Sequence, residues 1–295
     1  MIKNTHSNSM EITRRYLDTL VVEGRILGSV HPSAQVSLLG MEFETPVMGA
    51  ALSHLKPGMA GYAEGLKKAG AFCSVGMGDN YDLKKVLDTG AKVMKVIKPY
   101  ADREEIFSRI FFAEKNGAAA LAIDVEHATN SEDDRDSVVV GYPMKQPTLE
   151  ELREYVASTT LPFFFKGVMG PKDAMTAKEL GAAGVILSHH NNILRCAAPH
   201  IFLLPEIRKA VGPDFILIAD GGIEDGYDAF KALARGADIV SVGRPFMAPY
   251  EAEGPDGIVK VVNEFTDELK ALMLRTGAKD LASIDPSVVR EAYWM

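Results

Sequence analysis

Lysine, histidine, aspartate and glycine stand at the ends of a series of short apolar runs, and their order suggests chemistry on a phosphorylated ligand. Residues 218–244 read IADGGIEDGYDAFKALARGADIVSVGR. One run closes on Asp220-Gly221-Gly222, a helical pattern follows, and a second run closes on Gly243-Arg244. Glycine turns on neighbouring parallel strands gather backbone N–H groups, and with a helix N-terminus such a cluster binds phosphate. Arg244 can add a bidentate contact. Upstream, Lys166 closes FFFK and His189-His190 close GVILSHH, placing a cation and a base beside the phosphate. Other run ends carry Lys98 and Asp124. An ammonium about 4 Å from a developing negative charge contributes a few kcal/mol at moderate effective dielectric, which favours a ligand role for Lys166 over a structural ion pair. His190 stands where a general base could reach a substrate, and Asp124 could orient it. His189 reads first as a rim residue bonded to backbone. No zinc site is expected, because no third ligand falls at recognisable spacing, although His127 and His200 exist.

The elements that must position these residues repeat one pattern. A helix rich in Ala, Leu, Lys and Glu ends in glycine, and a short apolar strand follows, as in LKKAGAFCSVG, AEKNGAAALAID, AKELGAAGVILS and ALARGADIVSVG. Glycine past a helix end is a C-terminal stop. Unalternating apolar runs are strands buried on both faces. The pattern predicts strands near 45–50, 71–76, 93–98, 119–124, 162–166, 184–188, 215–220 and 238–243. Helices fall between them, with a last one near 256–276 and an extra one near 10–27. Eight such units imply an α/β fold, a (β/α)8 TIM barrel with an extra N-terminal helix, whose active site lies at the C-terminal strand ends. The whole of 1–295 reads as one domain: a helical extension over 1–30, the barrel over 31–280, and a long loop over 125–147 after strand four. The SEDDRD run in that loop reads as a solvated loop, with a mobile lid as the alternative.

Bulk composition narrows the partners. The chain has 295 residues, a net charge of −8 and 47% hydrophobic residues. An acidic balance disfavours nucleic acid and anionic membrane. No apolar run reaches the roughly 18 residues of a membrane span, and the polar N-terminus lacks a signal-peptide core. Two cysteines, Cys73 and Cys196, make no disulfide framework, so a cytoplasmic location is expected.

Taken together, KGVMGPKDA (166–174), SHHNNILR (188–195), DGGIEDGYDAFKALARGA (220–237) and GRPF (243–246) resemble the FMN-dependent 2-hydroxy-acid oxidase and dehydrogenase family, the glycolate oxidase and lactate oxidase group. The match is strongest over 160–250 and traceable from about residue 30. The resemblance implies FMN as cofactor. Lys166 would lie by the flavin ring edge, Asp220 by the ribityl chain, and Gly221, Gly222, Gly243 and Arg244 by the phosphate. Ala50, Ala51 and Gly76 would line the ring, and Ser188 would contact the flavin. It also implies His190 as the catalytic base, with Asp124 as its partner. The base takes the substrate hydroxyl proton as the α-hydrogen passes to flavin N5, giving a 2-oxo acid. A homo-oligomer follows from the resemblance alone.

The substrate half departs from the pattern. The family's Gly-Gly-Arg after the base is Asn191-Asn192-Ile193, so the carboxylate clamp is missing at its usual place. Arg195, Lys98 and His189 are the substituting substrate contacts. Lys98 replaces a tyrosine, Val96 a glutamine and Ala122 a threonine, and Glu224 puts a negative charge where an arginine faces phosphate. The expected activity is FMN-dependent oxidation of a small 2-hydroxy acid or related hydroxy compound. The alternatives are an FMN-dependent isomerase resembling type 2 isopentenyl diphosphate isomerase, a degenerate FMN-binding barrel, and a flavin-free phosphosugar enzyme.

Overall fold

The computed structural model describes residues 8–128, 142–190 and 193–292. Helix α1 (Ser9–Thr19) runs into strand β1 (Leu20–Val22), and a hairpin follows, β2 (Val36–Leu38) and β3 (Met41–Phe43). The barrel then alternates strand and helix. Its first half is β4 (Val47–Leu52), α2 (Met59–Lys68), β5 (Cys73–Val75), α3 (Asn80–Leu87), β6 (Val93–Ile97), α4 (Arg103–Lys115) and β7 (Ala120–Asp124). Its second half is α5 (Leu149–Ala157), β8 (Phe163–Lys166), α6 (Pro171–Glu179), β9 (Gly184–Leu187), α7 (His200–Val211), β10 (Ile216–Asp220), α8 (Gly226–Ala234) and β11 (Ile239–Val242). Helices α9 (Arg244–Glu253) and α10 (Pro255–Thr276) and strand β12 (Val289–Glu291) complete the order.

Strands β4 to β11 close into a parallel barrel, β11 pairing with β4. All eight predicted strands are present within a few residues. They hold because both faces are apolar: alternate residues such as Met94, Val96, Phe164, Ile186 and Ile218 fill the interior, and the other set packs under the helices. Leu38 and Phe43 of the hairpin join the interior cluster. Helix starts carry caps: Asp79, Asp102 and Asp225 each accept a backbone N–H, and Thr148 with Glu151 forms a reciprocal capping box.

Three features of the structure depart from the expected pattern or add to it. The N-terminal helix stops at Thr19 instead of 27, because Leu20–Val22 pairs antiparallel with Val289–Glu291. Ala292 is buried and donates to Thr19 O, so this part of the C-terminal segment docks within the chain. Helix α9 was not anticipated; it carries Pro245 in its first turn and Pro249 within. The acidic run of the long loop falls outside the described residues. On the described flanks, Val125–Ala128 forms a 3-10 turn, and Met144 bridges to Tyr100.

Candidate active site

Two glycine turns build the first half of the site. Strand β10 ends at Asp220, and Gly221 and Gly222 follow with φ of 103° and 74°, a left-handed backbone that side chains resist. Strand β11 leads into Gly243, the N-cap of α9, so a helix N-terminus opens beside the glycines. Nine of the anticipated cofactor residues line one cavity of about 130 Å3: Ala50, Ala51, Lys166, Ser188, Asp220, Gly221, Gly222, Gly243 and Arg244. The tenth, Gly76, lines the adjoining chamber of about 260 Å3, where a Cβ would sit 2.6 Å from Ala51 O. Glu224 is exposed and lines neither cavity.

The second half is a charged cluster on neighbouring strands. Asp124 and Lys166 are register partners on β7 and β8, so both face the interior. Asp124 Oδ2 lies 2.9 Å from Lys98 Nζ, 3.6 Å from Lys166 Nζ and 3.5 Å from His190 Nδ1. Lys166 Nζ is 2.7 Å from His190 Nδ1. Burial alone would raise the Asp124 carboxyl, but Lys166, His190 and Lys98 together hold it well below the usual carboxylate range. Burial, with Lys166 beside it, pushes His190 well below the ordinary imidazole range, so the ring is neutral at neutral pH. A charged Lys166 can only donate, so His190 Nδ1 accepts from it.

Two substrate candidates are not brought to this cluster. His189 points the other way, into α1: Thr13 Oγ1 lies 3.0 Å from its Nε2 and Ser9 Oγ 3.3 Å from its Nδ1. Because the Thr13 hydroxyl donates to Ser9 O, it must accept from His189 Nε2–H, which fixes the tautomer. Adjacent residues at a strand end face opposite sides, and the period assigns the mouth to His190 alone. Arg195 is exposed and lines neither cavity, so the substitute clamp expected there is not in the chamber. Lys98 does line it.

Sequence reasoning passed over Ser241 and Glu126 and weighed His127 only as a zinc ligand, which it set aside. Ser241 donates to Asp220 Oδ1 at 2.7 Å and lines the smaller cavity. Its signal was a hydroxyl at an interior position of the apolar strand IVSV. Glu126 and His127 stand two and three residues beyond Asp124. His127 Nε2 lies 3.9 Å from Asp124 Oδ2, and its ring meets His190 edge-on with centroids 3.8 Å apart. Asp124, His127 and His190 therefore bring together three potential metal ligands that spacing did not reveal. The ammonium groups of Lys98 and Lys166 on the same carboxylate oppose a metal cation there.

Comparison with known proteins bears on this arrangement. A family model for FMN-dependent dehydrogenases matches residues 128–291. An L-lactate oxidase of Alicycliphilus denitrificans is 41% identical over 139 residues, which is 47% of this chain but 38% of that protein. The chain thus spans well under half of that relative's length in the alignment. An L-lactate oxidase of Lactobacillus jensenii is 28% identical across 88% of this chain and 72% of its own length. The structure of a Pediococcus acidilactici lactate oxidase superposes with a TM-score of 0.88 at 22% identity, covering 96% of this chain and 86% of that one. A mandelate oxidase variant bearing an FMN adduct superposes at 0.86 and 25% identity, covering 96% and 90%.

Proposed function

The chain belongs to the FMN-dependent dehydrogenase family, and from that membership we propose that it oxidises a 2-hydroxy acid to the 2-oxo acid with FMN as cofactor. Relatives named L-lactate oxidase and glycolate oxidase 3 support this substrate class. The observation that carries the reading is a convergence of cations. Two ammonium groups, Lys98 and Lys166, converge on the ionised carboxylate of Asp124 beside the buried chamber, which suits the site to a small anion.

The residues present fit FMN. Gly221, Gly222 and the first turn of α9 with Arg244 would hold its phosphate. Asp220, fixed by Ser241, would take hydroxyls of its chain. The bare backbone at Gly76, which leaves no room for a Cβ, gives a flat ring a close wall. Glu224, turned to solvent, leaves the phosphate cradle free of the repulsion its sequence position suggested. Bound there, FMN supplies the acceptor for the electron pair of the substrate C2–H bond.

Side chains do the rest. Lys98 anchors the substrate carboxylate as a point charge, since Ile193 leaves no bidentate fork at the family's arginine position. His190 Nδ1 has two competing neighbours, the Lys166 ammonium and the Asp124 carboxylate. When an anion draws Lys166 away, Nδ1 can carry a proton toward Asp124, and Nε2 is left free to take the hydroxyl proton. Asp124 then stabilises the imidazolium. No described helix is long and apolar enough to cross a membrane. A homo-oligomer in the cytoplasm accompanies this reading, with light scattering as the check on assembly.

The test is anaerobic addition of 2-hydroxy acids to the FMN-loaded protein. The flavin absorbance should bleach with release of the 2-oxo acid. His190→Ala should slow bleaching by about 10²- to 10⁴-fold. An undiminished rate in that variant would remove His190 from the base role.

A further inference from the structure

A larger chamber opens beside the one that holds Lys98 and His190. It encloses about 530 Å3 between the β4–α2 and β5–α3 turns, at the same C-terminal face of the barrel. Leu55, Pro57, Met59 and Met77 supply the apolar part of its wall, and the exposed Asp82 and Lys85 stand at its rim. The two chambers adjoin. Met77 lines both, and the consecutive residues Ser53 and His54 divide between them, Ser53 in the inner and His54 in the outer. Glycines flank Met77 on either side, so its unbranched side chain has few close neighbours along the chain and can change shape at small cost. His54 holds φ at 57°, a backbone that a non-glycine residue adopts uncommonly.

We propose that the outer chamber receives the C2 substituent of the substrate, which makes the preferred substrates 2-hydroxy acids bearing a bulky apolar group, aryl or branched alkyl. The inference rests on the hydroxy-acid reading for its anchor and adds the size of the substituent. A carboxylate on Lys98 and a hydroxyl at His190 fix C2 in the inner chamber, so the remaining heavy substituent must leave past the chamber wall. A hydrogen or methyl there leaves the outer chamber filled with water. A larger apolar group removes that water from Leu55, Pro57 and Met59, and this burial strengthens binding.

Calorimetric titration of the FMN-loaded protein with glyoxylate and with phenylglyoxylate tests this without requiring turnover. Phenylglyoxylate should bind at least about tenfold more tightly, the gain expected from burying a ring. Ala60→Phe, on α2 in the outer wall alone, should bring the affinity ratio back toward one. Ala60→Leu should give an intermediate ratio and keeps the test readable if the larger side chain impairs folding. Equal affinities in the unmodified protein, or a ratio that neither substitution moves, would overturn the proposal. If no hydroxy acid bleaches the flavin, the activity reading falls while the affinity ratio still decides the chamber. If small and large acids bind and react alike, the chamber assignment falls and the activity stands.

Discussion

Glu126 stands two residues beyond Asp124, and one of its carboxylate oxygens is buried without a hydrogen-bond partner among the described residues. Burial raises its pKa to about 7 against the pull of Lys166, with Asp124 and Asp220 adding to the rise. A carboxyl raised in the folded state binds its proton more tightly there than in the unfolded chain. Its cost to stability is absent below the ordinary carboxylate range, grows as pH rises toward 7, and is constant above. Glutamine carries no such term. Glu126→Gln should therefore gain stability relative to the parent between pH 5 and pH 8, by up to roughly 3 kcal/mol. Denaturant unfolding of the FMN-loaded protein at the two values reads this difference, and a pH-independent offset would place the carboxyl elsewhere than in a desolvated mouth. The sequence hinted at little of this. Lys98, Asp124 and Lys166 were legible because charge at the end of an apolar run has few structural explanations. Glu126 sits one turn further, where a charged residue is ordinarily solvated, and only tertiary burial makes it unusual.

Helix α1 shows what an element can do that its own residues do not announce. Ser9 and Thr13 hold both ring nitrogens of His189, the neighbour of His190. The Thr13 methyl lies where a Cβ on Gly222 would come within 2.8 Å. Arg14 pairs with Asp228 Oδ2 at 2.5 Å, and the same oxygen accepts from Glu224 N. One helix face thus braces the phosphate turn, the start of α8 and the turn that carries the base. His189→Ala should release this brace. Losing two buried hydrogen bonds costs about 1 to 3 kcal/mol, and hydrogen exchange over residues 10–17 should quicken. FMN should dissociate about tenfold faster, if the brace transmits even half of that energy to the phosphate turn. Unchanged exchange in α1 would show that His189 holds nothing there. From the sequence, the two adjacent histidines were both placed near substrate. Residue type does not separate them, and strand period does only once the strand's end is known. Helix α9 was hidden for a related reason: proline marks a break in the middle of a helix but suits a first turn, and the sequence does not say which position Pro245 holds.

Across the whole molecule, the barrel separates chemistry from fastening. The polar strand ends gather at one face, whereas Leu20–Val22 and Val289–Glu291 pair alongside the far end of α1. Tyr16 donates to Glu291 Oε1 at 2.6 Å, and Arg235, past the end of α8, lies 3.5 Å from the same carboxylate. Val288 is fully buried in this fastening. The eight-unit pattern made the barrel legible, because each strand repeats the same buried run and each helix the same stop. The fastening was not, since three-residue strands leave no periodic signature and their pairing joins positions about 270 apart. In barrels of this kind the catalytic face tolerates little change in geometry, while the opposite parts chiefly contribute stability. Val288→Ala should therefore act on stability alone. Removing two buried methyl groups costs about 1 to 3 kcal/mol and should lower the thermal midpoint by a few degrees, about 2 to 8 °C. FMN affinity should stay within about twofold of the parent, because His189 still pins the other end of α1. Paired with His189→Ala, the two substitutions should act in opposite proportions on unfolding and on cofactor release. Equal loss of FMN in both would mean that α1 moves as one rigid lever from fastening to mouth, and that stability and cofactor retention are a single property of the helix.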